Sequence, residues 1–447
     1  LKGGQNISDM AAAYELENFK SNADNEIAEE YFKAQYEGIA RCNTSLTYIP
    51  TVPCDSDMNE SLKQRLLGEA YFLRAYYYFR LVRAYGGVPL TLSIENDDSQ
   101  WDRARSSKEV IYAQIISDLE NAESRLWNKS ETSGADMGRA TKGAAQAMLV
   151  KVYMYMHEYA KAKEWGDKFL QDQAAEYSLA PDFASNFTIA GENNEESIFE
   201  IQYANEATSD YGSGNGSTRG TFTQVLTRSR STNMGDEGWG FNKPTHNLYN
   251  EYEEADSLRR DATIILLDSA HLGEQDTYLG TSYLNRKTGL YNADGTGYTY
   301  KNAHNTRGVL NNKQYRLADF YLLYAEACLG IGDASTATIY LNKVRTRVGL
   351  PTYPGYTFKV NGEEITSPTL EEAIRHERRM ELAMEGHRWF DLCRWGVAYE
   401  VMTAYMALES SEAKAEMQPF KKGVHELLPI PNKQRQLNPS LTQNPGY

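Results

Sequence analysis

The chain has 447 residues, 41% of them hydrophobic and 24% charged, with a net charge of −15. That length sustains one large domain or two to three ordinary ones, and the acidic balance excludes the basic footprint that tracks a phosphate backbone, so no nucleic acid is expected as partner. No apolar run reaches the roughly 18 residues of a membrane span, and Cys42, Cys54, Cys328 and Cys393 lack the Cys-x-x-Cys spacing of a zinc knuckle or thioredoxin-type motif.

Tyrosine outnumbers phenylalanine by 32 to 14, which favours rings with an apolar body and a polar tip. Cys328 and Cys393 fall inside helical patterns and read as buried apolar side chains. A Cys42–Cys54 bridge stays open if the protein is exported. The chain opens at Leu1 without an initiator Met, so any targeting segment is expected upstream.

Between residues 28 and 176 apolar residues recur at helical spacing. In and just before "RLLGEAYFLRAYYYFRLVRAYGGVPL" (65–90), Leu62, Leu66, Ala70, Leu73, Tyr77, Leu81 and Ala84 share one face and are expected in the core, with Tyr76 and Tyr78 flanking. Ser61 and Gln64 give a capping-box pattern, and Gly86, Gly87 and Pro89 stop the helix. The stretch 148–165 aligns on 322–340 with an offset of 175, placing Tyr159-Ala-Lys-Ala162 on Ala334-Ser-Thr-Ala337. Both copies read as the helix–turn–helix unit of a tetratricopeptide repeat, which buries its apolar face only against stacked neighbours. Helical pairs at about 28–85 and 369–400 would supply them.

The texture changes between 177 and 314, as in a long insert. "SIFEIQYA" (197–204) alternates like a strand, "YGSGNGSTRG" (211–220) is glycine-rich, and "GLYNADGTGYTY" (289–300) carries a hairpin signal at Asp294-Gly295. Loop-borne rings in this insert, among them Phe222, Trp239, Phe241, Tyr249, Tyr283, Tyr291 and Tyr298, are better candidates for ligand contact than a helix stripe.

Chemistry-bearing motifs are sparse. Glu377, Glu381 and Glu385 lie four apart in "IRHERRMELAMEGHRWFDLCRWG" (374–396), with His376 and His387 nearby. Neither Glu-x-x-His nor His-Glu-x-x-His spacing occurs, so the cluster reads as an ion-pair network with Arg378, Arg379, Arg388, Asp391 and Arg394. No nucleophile elbow, phosphate loop, dinucleotide fingerprint or calcium loop is present; no catalytic residue, cofactor or metal is expected.

Four segments carry a resemblance: "EAYFLRAYYYFRLVRAYGGVPL" (69–90), "RLADFYLLYAEACLGIGD" (316–333), 374–396, and the terminal "LLPIPNKQRQLNPSLTQNPGY" (427–447). With "DNEIAEEYFKAQYEGIARCN" (24–43), they make the chain similar to the SusD/RagB family of outer-membrane nutrient-binding lipoproteins over nearly its whole length. One departure is Gln434 or its neighbours where the family usually places Glu after Pro-Ile-Pro.

The resemblance implies one SusD-like domain over 1–447, all-α, with a tetratricopeptide-like scaffold at 28–176 and 315–400 and a loop-rich insert with short strands at 177–314 bearing the ligand face. It implies a non-enzymatic protein of the outer-membrane surface that captures oligosaccharides or polysaccharides and passes them to a TonB-dependent, SusC-like transporter. The lipid anchor, its only tie to the membrane, would lie before Leu1. Tyr211 and Trp239 sit in contexts similar to the family's aromatic arc, and Asn6 marks an N-terminal edge. Phe241 could add a second ring face, with Asn215, Arg219, Asp236 and Asn242 as hydroxyl-binding partners. A peptide cargo, a glycoside hydrolase with two carboxylates within about 10 Å and a scaffold without small ligand are the alternatives.

Overall fold

Two helix pairs carry the internal repeat. Lys142–Tyr155 with Tyr159–Asp172, and Leu317–Gly330 with Ala334–Arg347, match in every boundary at an offset of 175 residues. Thr141 caps the first pair by accepting from the Ala144 N–H, and Asp333 caps the last helix by accepting from Thr336. The computed structural model describes residues 6–94, 102–205, 219–230, 238–267, 279–293, 295, 297–304 and 306–447. Its Cα packing resolves into two units, one of residues 15–176, 390–406 and 416–447, the other of residues 1–14, 177–389 and 407–415.

In the first of these units Glu26–Tyr48, Glu60–Tyr85 and Lys108–Glu123 precede the first repeat pair. Asn25, Asn59 and Ser107 cap them. The cap of the tyrosine-rich helix is therefore Asn59, not Ser61, which lies inside the first turn. Its core stripe also differs from expectation. Tyr78 and Tyr85 are wholly buried and Tyr76 nearly so, whereas Tyr77, Leu62, Leu66 and Leu73 are only partly covered. Neighbours on both flanks bury this helix over most of its circumference, so one amphipathic stripe does not describe it. Arg74 holds those neighbours together, giving two bonds to Asp118 at 2.8 and 2.7 Å and one to Asn43 at 2.9 Å. Tyr77 fills the space left by Gly38, where a Cβ would stand 2.4 Å from its ring. The tyrosines are scaffold.

The terminal string closes the same unit. Asn444 donates to the carbonyls of Tyr85 at 3.0 Å and Leu428 at 2.8 Å, and accepts from Arg105 at 2.6 Å. The Gln-Asn-Pro-Gly-Tyr sequence thus satisfies a helix C-terminus. Cys42 is buried, Cys54 is exposed, and both are free thiols; burial pushes the Cys42 thiol up to about 12.

In the other unit the second repeat pair packs with the Leu370–Leu382 helix, whose Thr369 and Glu372 form a capping box. Among the described residues, strands occur as three antiparallel two-stranded ribbons: Ser197–Ile201 with Asn312–Arg316, Ile264–Leu266 with Tyr283–Asn285, and Phe358–Val360 with Glu363–Ile365. The first contains the expected strand. Tyr291 also bridges to Tyr298 across the expected hairpin turn, of which Asp294 lies outside the described residues. The architecture is predominantly helical, a tetratricopeptide-like scaffold with small strand elements.

Candidate functional site

The carboxylate row of 374–396 forms a saturated ionic core. Arg259 bonds Glu377 at 2.5 Å and Glu381 at 3.0 Å, and Arg345 reaches Glu377 at 2.8 Å. Arg316 and Arg347 each reach Glu381 at 2.5 Å, and Lys287 binds Glu385 at 2.7 Å. These partners come from distant segments of the chain. Arg378 pairs instead with Asp319 and Arg379 with Glu251, while Arg394 bonds Asp391 within its own helix. Burial alone would raise the Glu385 carboxyl; Arg316 and Lys287 outweigh it and hold it at about 2. Arg347, Arg316 and Arg259 likewise keep Glu381 well below the usual range against its burial. Carboxylates so clamped are poor proton donors at neutral pH.

Trp239 occupies a different kind of place. The short Thr223–Thr227 helix and the turn after it bind residues 238–241 through backbone bonds: Gly238 N–H to Ser229, Trp239 to Val225, Gly240 to Arg228 and Phe241 to Leu226, at 2.8 to 3.0 Å. Gly238 is required for this approach, since a Cβ there would lie 2.2 Å from the Arg228 carbonyl oxygen. The partly exposed indole meets Phe222 edge-on, with ring centres 5.1 Å apart. Arg230 donates to the Trp239 carbonyl at 3.2 Å and stands 3.8 Å from Asp9. Asp9 belongs to the turn that Asn6 caps, Asn6 accepting from the Ser8 N–H at 2.9 Å. Arg230 thereby joins the N-terminal turn to the Trp239 loop; nothing in its sequence context distinguished it.

Phe241 corrects an expectation. It is 1% exposed and packs against Tyr14 at 6.3 Å between ring centres, so it anchors the loop and presents no free face. A two-residue step along this loop carries the chain from surface to core. Other insert rings are spent on each other: Tyr249 stacks on Tyr283 at 4.8 Å, and Tyr291 lies 5.0 Å from Tyr298 while its hydroxyl accepts from Ser229. Arg219 is exposed, and its carbonyl accepts from the Ala204 N–H. Tyr211, Asn215 and Asp236 lie outside the described residues.

Comparison with known proteins places these features in a family. A model described as the SusD family matches residues 259–447, and one described as "Starch-binding associating with outer membrane" matches 3–154. A solved "Laminarin binding SusD-like protein" is 32% identical and superposes with a TM-score of 0.81 over 100% of this chain and 92% of its own. The chain belongs to the SusD/RagB family. Surface glycan-binding protein A from Bacteroides fluxus is 25% identical, with a TM-score of 0.83 over 100% and 91% of the two chains. A SusD-like protein of Bacteroides ovatus is 29% identical over 80% of this chain, which spans 64% of that relative's length. Among the described residues no helix is long and apolar enough to cross a membrane.

Proposed function

We propose that this chain is a glycan-binding protein of the outer-membrane surface that captures oligosaccharides or polysaccharides and hands them to a TonB-dependent, SusC-like transporter. A lipid anchor would hold it there. The observation that carries the reading is the fixed, partly exposed indole of Trp239, braced by Phe222 on a loop tied down by backbone bonds. A pyranose offers an apolar C–H face that lies on such a ring and a rim of hydroxyls that needs amide or guanidinium partners. Arg219, and Tyr211 and Asn215 of the adjoining segment, would complete the face and rim, with the Asn6 turn as its N-terminal edge. The insert at 177–314 is then the binding part of one SusD-like domain. The 32% identical laminarin-binding relative supports a sugar over a peptide.

Two relatives are named for binding laminarin and surface glycan, and the arginine-saturated carboxylates of the row speak against acid–base catalysis by those residues. A ligand held on a shallow loop surface by one or two rings is expected to bind at about −4 to −7 kcal/mol, millimolar to roughly ten micromolar, weak enough for transfer. The test is binding of a panel of β- and α-glucans, other polysaccharides and peptides by calorimetry, with Trp239→Ala alongside. At least about tenfold weaker glycan binding in the variant is expected, equivalent to about 1.4 kcal/mol. Peptide binding without glycan binding would overturn the assignment.

A further inference from the structure

A pocket of about 240 Å³ opens in the same unit as Trp239, but neither Trp239, Phe222 nor Arg219 lines it. Its polar wall includes Asn186, Thr223, Gln224, Asn242, Asn311 and Asn312, and Phe187, Leu310 and Met384 give it an apolar side. These residues come from segments scattered between 186 and 384 in the sequence.

Gln224 is the decisive group. Its side chain is 1% exposed, and its Oε1 accepts from the Val309 N–H at 3.0 Å. Only the amide oxygen can accept that bond, so the orientation of the amide is fixed. Its Nε2 is then a buried donor with no hydrogen-bond partner among the described residues, an arrangement that costs free energy unless an acceptor arrives from outside. The amide is seated deliberately: Gly308 faces it, and a Cβ there would stand 2.0 Å from Oε1. Two non-glycine residues of the wall, Asn242 at φ 53° and Met384 at φ 67°, hold left-handed backbone. Strain of this kind concentrates where a ligand is gripped.

The charges define what fits. Lys287 is bonded at 2.7 Å to Glu385, which Arg316 also holds, and Lys313 is paired with Glu200, so each cation that lines the pocket already faces a carboxylate. An anion finds no uncompensated charge there. Amides and hydroxyls that both donate and accept, beside a half-buried phenyl ring, match a compact neutral polyol. The volume lies below the roughly 300 Å³ at which pockets for drug-sized ligands begin, which limits the occupant to about one sugar ring.

We infer that this pocket is a second binding site, for a neutral polyol the size of a single sugar ring. It stands independently of capture at Trp239. The experiment is a titration of the intact, methyl-labelled protein with D-glucose, D-galactose and myo-inositol, and in parallel with D-glucuronate and inorganic phosphate, read at the Met384 and Leu310 methyl resonances. Saturable shifts with at least one neutral polyol are expected. Gln224→Glu keeps the acceptor for Val309 but loses the donor, and Thr223→Val removes a hydroxyl without changing shape; each should weaken binding about three- to tenfold. Retained thermal stability of Thr223→Val separates a lost contact from a lost fold. Shifts with the anions alone, or none with any neutral polyol up to about 100 mM, well beyond the millimolar range of weak ligands, would overturn the inference. Failure of polysaccharide binding at Trp239 would leave these methyl shifts in place, so the two readings fail separately.

Discussion

Glu381 shows how far a single side chain's setting reaches. It accepts from Arg259, Arg316 and Arg347 in a fully buried site. Replacing it by Gln keeps the shape and removes the charge that compensates three guanidinium groups. Such an uncompensated buried charge costs about 3 to 5 kcal/mol, so Glu381→Gln should lower the urea midpoint sharply, measured by far-ultraviolet circular dichroism. The carboxylate row was legible in sequence, because a four-residue spacing is a local fact. Its true partners were not, since Arg259 and Arg316 lie 122 and 65 residues away. The same limit applies at the candidate site: Trp239 and Phe241 look alike in sequence, and only the tertiary contact with Tyr14 separates the platform from its anchor.

At the level of elements, what is periodic or punctuated was readable. The repeat offset of 175 holds for all four helix ends of each pair, because small residues at helical spacing and a short turn are encoded within a few residues of each other. The start of the tyrosine-rich helix was misplaced by two residues, Asn59 and Ser61 being equally good caps by composition. The Leu370–Leu382 helix offers a clean measure of what a cap contributes. Thr369 accepts from the Glu372 N–H at 3.2 Å, and Glu372 accepts from the Thr369 N–H at 2.8 Å. Thr369→Ala should destabilise the protein by about 1 kcal/mol, visible as a reduced denaturant midpoint with an unchanged slope.

For the whole molecule the ionic core sets the response to acid. Burial opposes ionisation of Glu253, but His376 and Arg345 outweigh it and hold the carboxyl at about 2, as Arg316 and Lys287 do for Glu385. Carboxyls held below their unfolded value of about 4.3 stabilise the fold fully above that pH and lose this contribution as pH falls toward the folded value. Asp256 and Glu192, raised by burial, work in the opposite direction and gain on protonation. Stability should therefore change little from neutrality down to about pH 5 and fall steeply below about pH 4, as followed by urea denaturation at each pH. A midpoint that rises on acidification below pH 4 would contradict the ionic account.

The Asn444 clasp on Tyr85 has a temporal side. The two residues are 359 positions apart, and at ordinary rates of synthesis of about 5 to 20 residues per second the ribosome needs roughly 20 to 70 seconds to travel between them. Arg105 also donates to the Tyr85 carbonyl at 3.1 Å, so until then this helix end holds only part of its clasp, and the tyrosine-rich helix is made early but finished late. The clasp therefore closes only after the terminal string has been made, whatever the order in which the rest of the unit packs.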